Sequence, residues 1–325
     1  MLGKLFDKIL HEEEGLVEMI ADKENEIEKE ITSVFNSKDF LIASLIFLLA
    51  LAARLYSLFY ITDPQNAGVE VWYSDVYHHW QIAYLTKSVG LKHGFLRLWD
   101  LKGEEYFWCA LHPLIGSFLI TLTGSTSIVV FRIFSSVMGS FALVFLYLII
   151  HRHWGRQAGL AASLIGLFSP IGVFSDATGM VEPLGIAVFL AGIYFFPQRA
   201  LLSGFLLALA SMTRAEYWVL SGLVLLGVLF MKIEHAKKPF FFLGYVIPII
   251  LYMKYLLDWT GSPIYPIWWN YLGNAVGKWQ ADLLPTARQL LAQKIYWVIS
   301  AVSFIGIIWT FVKRPKSTLF LLFGF

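Results

Sequence analysis

Cysteine and charged residues are scarce in this chain, and each scarcity excludes a class of protein. Cys109 is the one cysteine among 325 residues, so neither an intrachain disulfide nor a cysteine-based metal site can form. Charged residues make up only 15% of the chain, whereas soluble domains contain about a quarter. The net charge of +2 supplies no basic surface for nucleic acid, which we exclude as a partner. What remains is a chain that is 58% hydrophobic, and this composition predicts an integral membrane protein.

The amino-terminal segment differs from the rest of the chain. It is too charged for a cleavable signal peptide, and in residues 2–35 apolar side chains recur at helical spacing, which predicts an amphipathic helix. Acidic residues outnumber the lysines, so adsorption to an anionic bilayer is not expected. We predict that residues 1–38 form a cytoplasmic arm that packs on a partner helix or on the protein's own cytoplasmic face. Residues 39–325 are then a multi-span domain.

Long apolar runs, separated by short polar loops, follow from residue 40 onward. A helix that crosses a bilayer needs about twenty mainly apolar residues. Eight runs predict membrane spans, at 40–60, 127–150, 158–174, 184–196, 201–213, 217–231, 239–257 and 295–312. The runs at 184–196 and 201–213 are short, which leaves a re-entrant hairpin as an alternative. A ninth run begins near Thr318, and we therefore expect the chain to be a fragment of a longer protein.

Lysine and arginine are distributed unevenly between the loops, and this asymmetry predicts the orientation. The basic loops alternate with less basic ones and share a face with the amino terminus; they contain Arg152, Arg156, Arg199, Lys232, Lys237, Lys238, Lys313, Arg314 and Lys316. That face is predicted to be cytoplasmic, in a prokaryotic cell membrane or in the endoplasmic reticulum of a eukaryote. The predicted fold is an all-α polytopic bundle whose large first extracytoplasmic loop, residues 61–126, holds two juxtamembrane helices. One begins near Asp75, and the other has Pro113 in its first turn.

The first juxtamembrane helix carries a cluster of polar residues. Asp75, His78 and His79 lie three and four positions apart, and such residues are neighbours on one side of a helix. This spacing permits an Asp–His dyad, or a corner of a divalent-metal site with Asp75 and His79 as ligands. The alternative is that Asp75 caps the helix and that the histidines lie at the membrane interface.

Two further patches place charged residues at the same predicted face. Asp176 and Glu182 lie in the connection after the third run, where the nearby lipid makes charge expensive. Arg214 and Glu216 follow the fifth run, where they could also be ordinary interfacial loop residues.

Three arginines occupy similar predicted depths in separate spans. Arg54, Arg132 and Arg214 each adjoin an apolar run, where an arginine costs about 2.5 kcal/mol or more unless it snorkels or is paired. Snorkelling explains any one of them. The occurrence of three arginines at one depth favours a shared anionic partner, such as a lipid phosphate.

Taken in order, these features resemble the GT-C superfamily of membrane glycosyltransferases. These enzymes use polyprenyl-phosphate sugars, and they include protein O-mannosyltransferases and the catalytic subunits of oligosaccharyltransferases. The resemblance rests on an acidic residue followed by His and Trp in the first outer loop, and on His112-Pro113-Leu114 at the second juxtamembrane helix. It rests further on an arginine in the next span and on the segments 169–182 and 213–216. It covers most of residues 40–220 as an order of short motifs.

The resemblance implies roles for individual residues. Asp75 matches the acidic residue that acts as general base or metal ligand, and Glu182 matches an acidic residue that faces the cavity. Where the mannosyltransferase signature has a second acid, this chain has Val76. The residues expected to bind substrate are Arg54, His78, His79, His112, Arg132, Arg214 and Glu216.

The implied function is transfer of a hexose, most often mannose in this superfamily, from a polyprenyl-phosphate donor. The acceptor is a hydroxyl or amide of a glycan, protein or lipid at the outer or luminal face, and a single displacement would invert the anomeric centre. A base activates the acceptor, positive charge stabilises the departing phosphate, and Mg²⁺ or Mn²⁺ is a candidate cofactor. The alternatives are a transporter or lipid flippase, with polar residues near the bilayer midplane, or a non-catalytic scaffold.

Overall fold

The computed structural model describes residues 38–62, 75–88, 104–196, 198–230 and 237–275, with a few positions between 297 and 312. In this part of the chain the protein is 87% helical and has no strand, which confirms the predicted all-α class. The predicted amino-terminal arm, most of the run at 295–312 and the ninth run lie outside the described residues.

The helices are numbered here in chain order. They are α1 (Lys38–Tyr56), which continues as a π-helical turn at Ser57–Ile61, α2 (Asp75–Ser88), α3 (Glu104–Phe107), α4 (Leu111–Thr123), α5 (Val129–Trp154), α6 (Arg156–Leu167), α7 (Pro170–Thr178), α8 (Glu182–Phe195), α9 (Ala200–Ser211), α10 (Glu216–Phe230), α11 (Lys237–Thr260) and α12 (Tyr265–Ala275).

Three described helices are long and apolar enough to cross a membrane, namely α1 with its π-helical turn, α5 and α11. The consecutive helices α6 and α7 add a fourth candidate if they form one bent span. At 1.5 Å per residue, α8 and α9 extend about 21 and 18 Å, whereas the hydrocarbon core is about 30 Å thick. The chain is therefore a helical membrane protein, and the predicted number of spans and the orientation stay predictions.

The run at 158–174, predicted as one span, is broken in the structure. Helix α6 ends at Leu167, and α7 leaves it at an angle of 62°. Ser169 caps α7, since its hydroxyl accepts a hydrogen bond from the Gly172 amide at 3.3 Å, and Pro170 takes the first helical position. A serine cap followed by proline starts a new helix, because proline lacks the N–H that would continue the previous one.

Helix α5 lies at the centre of the bundle and packs against α1, α6, α7 and α8. Its buried surface is rich in small residues, namely Ser135, Ser136, Gly139, Ser140 and Ala142. Small residues allow helix backbones to approach closely where lipid removes the hydrophobic drive for association. Another close backbone approach is between α9 and α11, where a Cβ on Gly204 would overlap the carbonyl oxygen of Phe241.

Helices α2 and α4, both in the predicted first outer loop, pack against each other and onto the beginning of α5. Ala83, Ile120 and Phe131 form a buried cluster between them. The Trp80 indole donates a hydrogen bond to the Thr126 carbonyl at 2.8 Å, and the Leu111 amide donates one to the Met212 carbonyl at 2.9 Å. These bonds fix both helices on one end of the bundle.

Candidate functional site

The ends of many helices meet at this end of the bundle, which is called the site end below. Helices α1, α7 and α9 end there, and α5, α8 and α10 begin there, beside α2 and α4. Connections between antiparallel helices bring polar residues from distant parts of the sequence to one level. All nine residues that the sequence analysis assigned to the site are described, and they lie on these elements.

Arg214, in the connection between α9 and α10, is the centre of a network of carboxylates. Its Nη1 donates a hydrogen bond to Glu182, and its Nε and Nη2 donate to the two carboxylate oxygens of Glu216 at 3.2 and 3.3 Å. Glu182 and Glu216 are the first residues of α8 and α10, where the helix dipole favours a negative charge. The network is partly open, because the Arg214 side chain is 28% exposed.

Asp75 acts on the same guanidinium through its charge. Burial lowers the pKa of Arg214, but the carboxylates of Glu182, Glu216 and Asp75 outweigh burial and raise it above the ordinary value. Asp75 is half-buried at the first residue of α2. The half-buried guanidinium thus lies in the field of three carboxylates from three different helices.

Arg54 forms a buried ion pair with Asp176. Its Nε donates to Asp176 Oδ2 at 2.6 Å, and its Nη1 donates to the Ala50 carbonyl at 3.2 Å. The two side chains are only 2% and 11% exposed, and Asp176 occupies the space that a Cβ on Gly139 would need. The predicted partner of Arg54 was a lipid phosphate, whereas its partner in the structure is a carboxylate of the same chain. A role of Arg54 in substrate binding stays a prediction.

Arg132 is fully buried at the start of α5, beneath the connection between α7 and α8. A Cβ on Gly179 would lie 3.1 Å from Arg132 Cγ, and Gly179 has a φ of +92°, which favours glycine. The Ser135 hydroxyl donates to the Met180 carbonyl at 2.8 Å and holds the connection on α5. Arg54, Arg132 and Arg214 therefore all meet the segment 176–182, at Asp176, Gly179 and Glu182 respectively.

Two histidines form a buried pair beside this segment. The rings of His79 and His112 are each 1% exposed and lie 5.0 Å apart between centroids. Trp108 packs against His79 and also against His78, at 5.1 and 5.2 Å. Among the described residues, Nδ1 of His79 and both ring nitrogens of His112 have no hydrogen-bond partner.

Both histidines are neutral at pH 7. Burial lowers the pKa of His79, and electrostatic repulsion from His112, Arg214 and His78 lowers it further. Burial alone lowers the pKa of His112 to about 4. In the described ranges no three His, Cys, Asp or Glu residues could hold a metal ion, and the Asp75–His79 metal site stays a prediction without structural support.

No protein-family model, curated protein or solved structure matches this chain. The likeness to GT-C glycosyltransferases therefore rests on the sequence motifs alone and stays a prediction.

Three features of the site were not predicted from the sequence. Asp176 was named without a role, although two charges of opposite sign in apolar runs are a signal for an ion pair. Trp108 carries no signal, since one aromatic residue among many does not show which rings it touches. Tyr217 packs so close to α8 that a Cβ on Gly185 would overlap its ring. This contact lies near Glu182 and arises only from the packing of α8 against α10, so the sequence does not show it.

Proposed function

We propose that this protein is a GT-C-type glycosyltransferase, which transfers a hexose from a polyprenyl-phosphate donor to an acceptor at the site end. The observation that carries the proposal is the Arg214 network. The phosphate of a polyprenyl-phosphate sugar needs a cation that it can reach and that is shielded from bulk water. Arg214 meets this need, because it is partly exposed among the ends of several helices. An acceptor needs a carboxylate close to that cation, and Asp75 acts on Arg214 through its charge.

The proposed roles follow from how each carboxylate is engaged. Glu182 and Glu216 are bonded to Arg214 and orient it, which leaves Asp75 as the base. The acceptor oxygen attacks the anomeric carbon, the bond from that carbon to the phosphate oxygen breaks, and the acceptor proton passes to Asp75. The departing phosphate takes the electron pair, and Arg214 stabilises its charge. This single displacement inverts the anomeric centre.

A transporter is the second candidate, and one observation favours it. The Arg54–Asp176 pair is buried among the apolar helices α1, α5 and α7, and charges in such positions often mark a transport pathway. The pair also lies one short connection away from Glu182, which the glycosyltransferase proposal uses. A transporter would move the donor without breaking the sugar–phosphate bond, so a chemical assay separates the two functions.

The test measures release of polyprenyl phosphate by the full chain in nanodiscs, from short-chain polyprenyl-phosphate mannose and from glucose and galactose analogues. We expect turnover of at least one donor and a loss of about a hundredfold or more in Asp75→Asn. Asp258→Asn is the matched control, because Asp258 is an exposed carboxylate at the same end that pairs with Lys254 at 2.8 Å. No release from any donor, or equal turnover in Asp75→Asn and Asp258→Asn, would refute the proposal.

A further inference from the structure

A groove lies between α1 and α5 at the end of the bundle opposite to the site end. Its volume is about 790 Å³, within the range of small-molecule sites. The rings of Phe47 and Phe141, 4.7 Å apart between centroids, form one wall with Val144 and Leu148. Phe40 is 43% exposed and Leu48 60% exposed along the groove, so it opens sideways where lipid chains would surround the helices.

One end of this groove is polar and carries a positive excess. Asp39 accepts hydrogen bonds from Arg156 at 2.9 Å and from the Tyr147 hydroxyl at 3.2 Å, so its charge is already compensated. Lys38 is exposed next to it.

Arg152 supplies the uncompensated charge at that end. Its Nη1 donates to the Tyr194 carbonyl at 2.9 Å, and the guanidinium lies 4.4 Å from the Tyr194 ring centroid. Both contacts orient the guanidinium without neutralising it. Within the described residues no carboxylate forms an ion pair with Arg152, which is exposed at the mouth of the groove.

We propose that this groove binds an anionic phospholipid, with an acyl chain along Phe47 and Phe141 and the phosphate on Arg152. The apolar walls suit a chain, and the positive mouth selects the headgroup by charge. A zwitterionic lipid offers the same phosphate but brings an ammonium group, which Lys38 and Arg152 repel. Basic pockets between membrane helices bind anionic headgroups in this way. The site is far from Asp75 and does not depend on the proposed glycosyl transfer.

The test compares short-chain phosphatidylglycerol with phosphatidylcholine by native mass spectrometry of the full chain in detergent. We expect phosphatidylglycerol to bind more tightly, and Arg152→Gln to weaken it about fivefold, whereas Arg152→Lys keeps most of the affinity. Arg199→Gln is the matched control, because Arg199 is exposed at the same end, just before α9, and does not line the groove. Equal binding of the two lipids, or an unchanged affinity in Arg152→Gln, would overturn the proposal.

A second variant tests the acyl-chain half without changing charge. Ser44 lines the groove, and Ser44→Trp should fill it and abolish the binding of both lipids, with an unfolding midpoint near that of wild type. A photo-reactive benzoyl-phenylalanine at position 47 should form adducts with the mass of a lipid. Adducts with a second copy or with another segment of this chain would show that protein, rather than lipid, covers the groove.

Discussion

Breaking the buried ion pair between Arg54 and Asp176 by removing one partner should be among the most destabilising single changes in this protein. The side chains are 2% and 11% exposed, so removing one partner leaves the other charge buried and uncompensated. Such a loss costs about 3–5 kcal/mol in folded proteins. We therefore expect Asp176→Asn and Arg54→Gln each to lower the free energy of unfolding by about that amount.

The double variant separates the value of the pair from the cost of an orphaned charge. With Arg54→Gln and Asp176→Asn together, neither charge of the pair remains, and two amides can bond to each other. We expect the double variant to lose less than either single variant, because replacing a whole buried pair is often nearly neutral. The coupling energy should then be several kcal/mol, beyond the usual range for adjacent residues.

The assay is reversible unfolding in mixed micelles with increasing sodium dodecyl sulfate, followed by circular dichroism. Lys254→Gln is the matched control, since it breaks an exposed pair of side chains, 69% and 53% exposed, on one helix. Such a pair contributes about 0.3–0.5 kcal/mol. If Asp176→Asn costs no more than Lys254→Gln, or if the two single costs simply add, the interpretation of a desolvated pair is wrong.

Three further predictions address packing, pH and accessibility. Gly204→Ala should destabilise by about 1–3 kcal/mol in the same unfolding assay, because its Cβ would overlap the Phe241 carbonyl, whereas Gly222→Ala, with nothing within 4 Å, should not destabilise. Burial lowers the pKa of His112 from 6.5 to about 4, so as the pH falls the unfolded chain binds the proton first. Stability that is present above pH 6.5 should therefore fall by on the order of 3 kcal/mol towards pH 4 through His112. His112→Phe should remove this contribution and make the pH dependence shallower, while the contribution of His79, whose pKa burial also lowers, stays. Cys109 is fully buried and burial raises the pKa of its thiol to about 12, so an impermeant maleimide should not label it in the native protein. If the predicted orientation is correct, Asp258→Cys should react with this reagent in intact cells and Lys237→Cys should not. The opposite labelling pattern would reverse the orientation.

The long helices could be predicted because apolar run length alone decides them. The runs at 40–60, 127–150 and 239–257 correspond to α1, α5 and α11. The break between α6 and α7 was missed, because hydropathy averages over Ser169 and Pro170, although these two residues are a helix-start signal. Periodicity predicted a helix that begins near Asp75, and α2 is described from that residue.

The partners of the charged residues could not be predicted in the same way. Arg54 and Asp176 lie 122 positions apart, and only the register of α1 against α7 brings them together. The same holds for His79 and His112, whose contact depends on the packing of α2 on α4. Sequence spacing reports neighbours within one helix, so it predicted Asp75 with His79. In the structure the pKa of His79 is lowered mainly by burial and then by His112 and Arg214, which belong to other elements, and by His78.

The pairing of the arginines changes what a bound phosphate would have to do. Arg54 is engaged with Asp176 in the interior and is 2% exposed, so a donor phosphate at the surface would not reach it without breaking a buried pair. Arg214 is the accessible one of these two, and its bonds to Glu182 and Glu216 use three of its five N–H donors. A phosphate could therefore bind the two remaining N–H groups, one on Nη1 and one on Nη2. It would gain a further donor by replacing Glu216, which is the weaker competitor because its side chain is 53% exposed and its bonds are 3.2 and 3.3 Å long. The binding of a phosphate by Arg214 is thus compatible with the presence of its carboxylates.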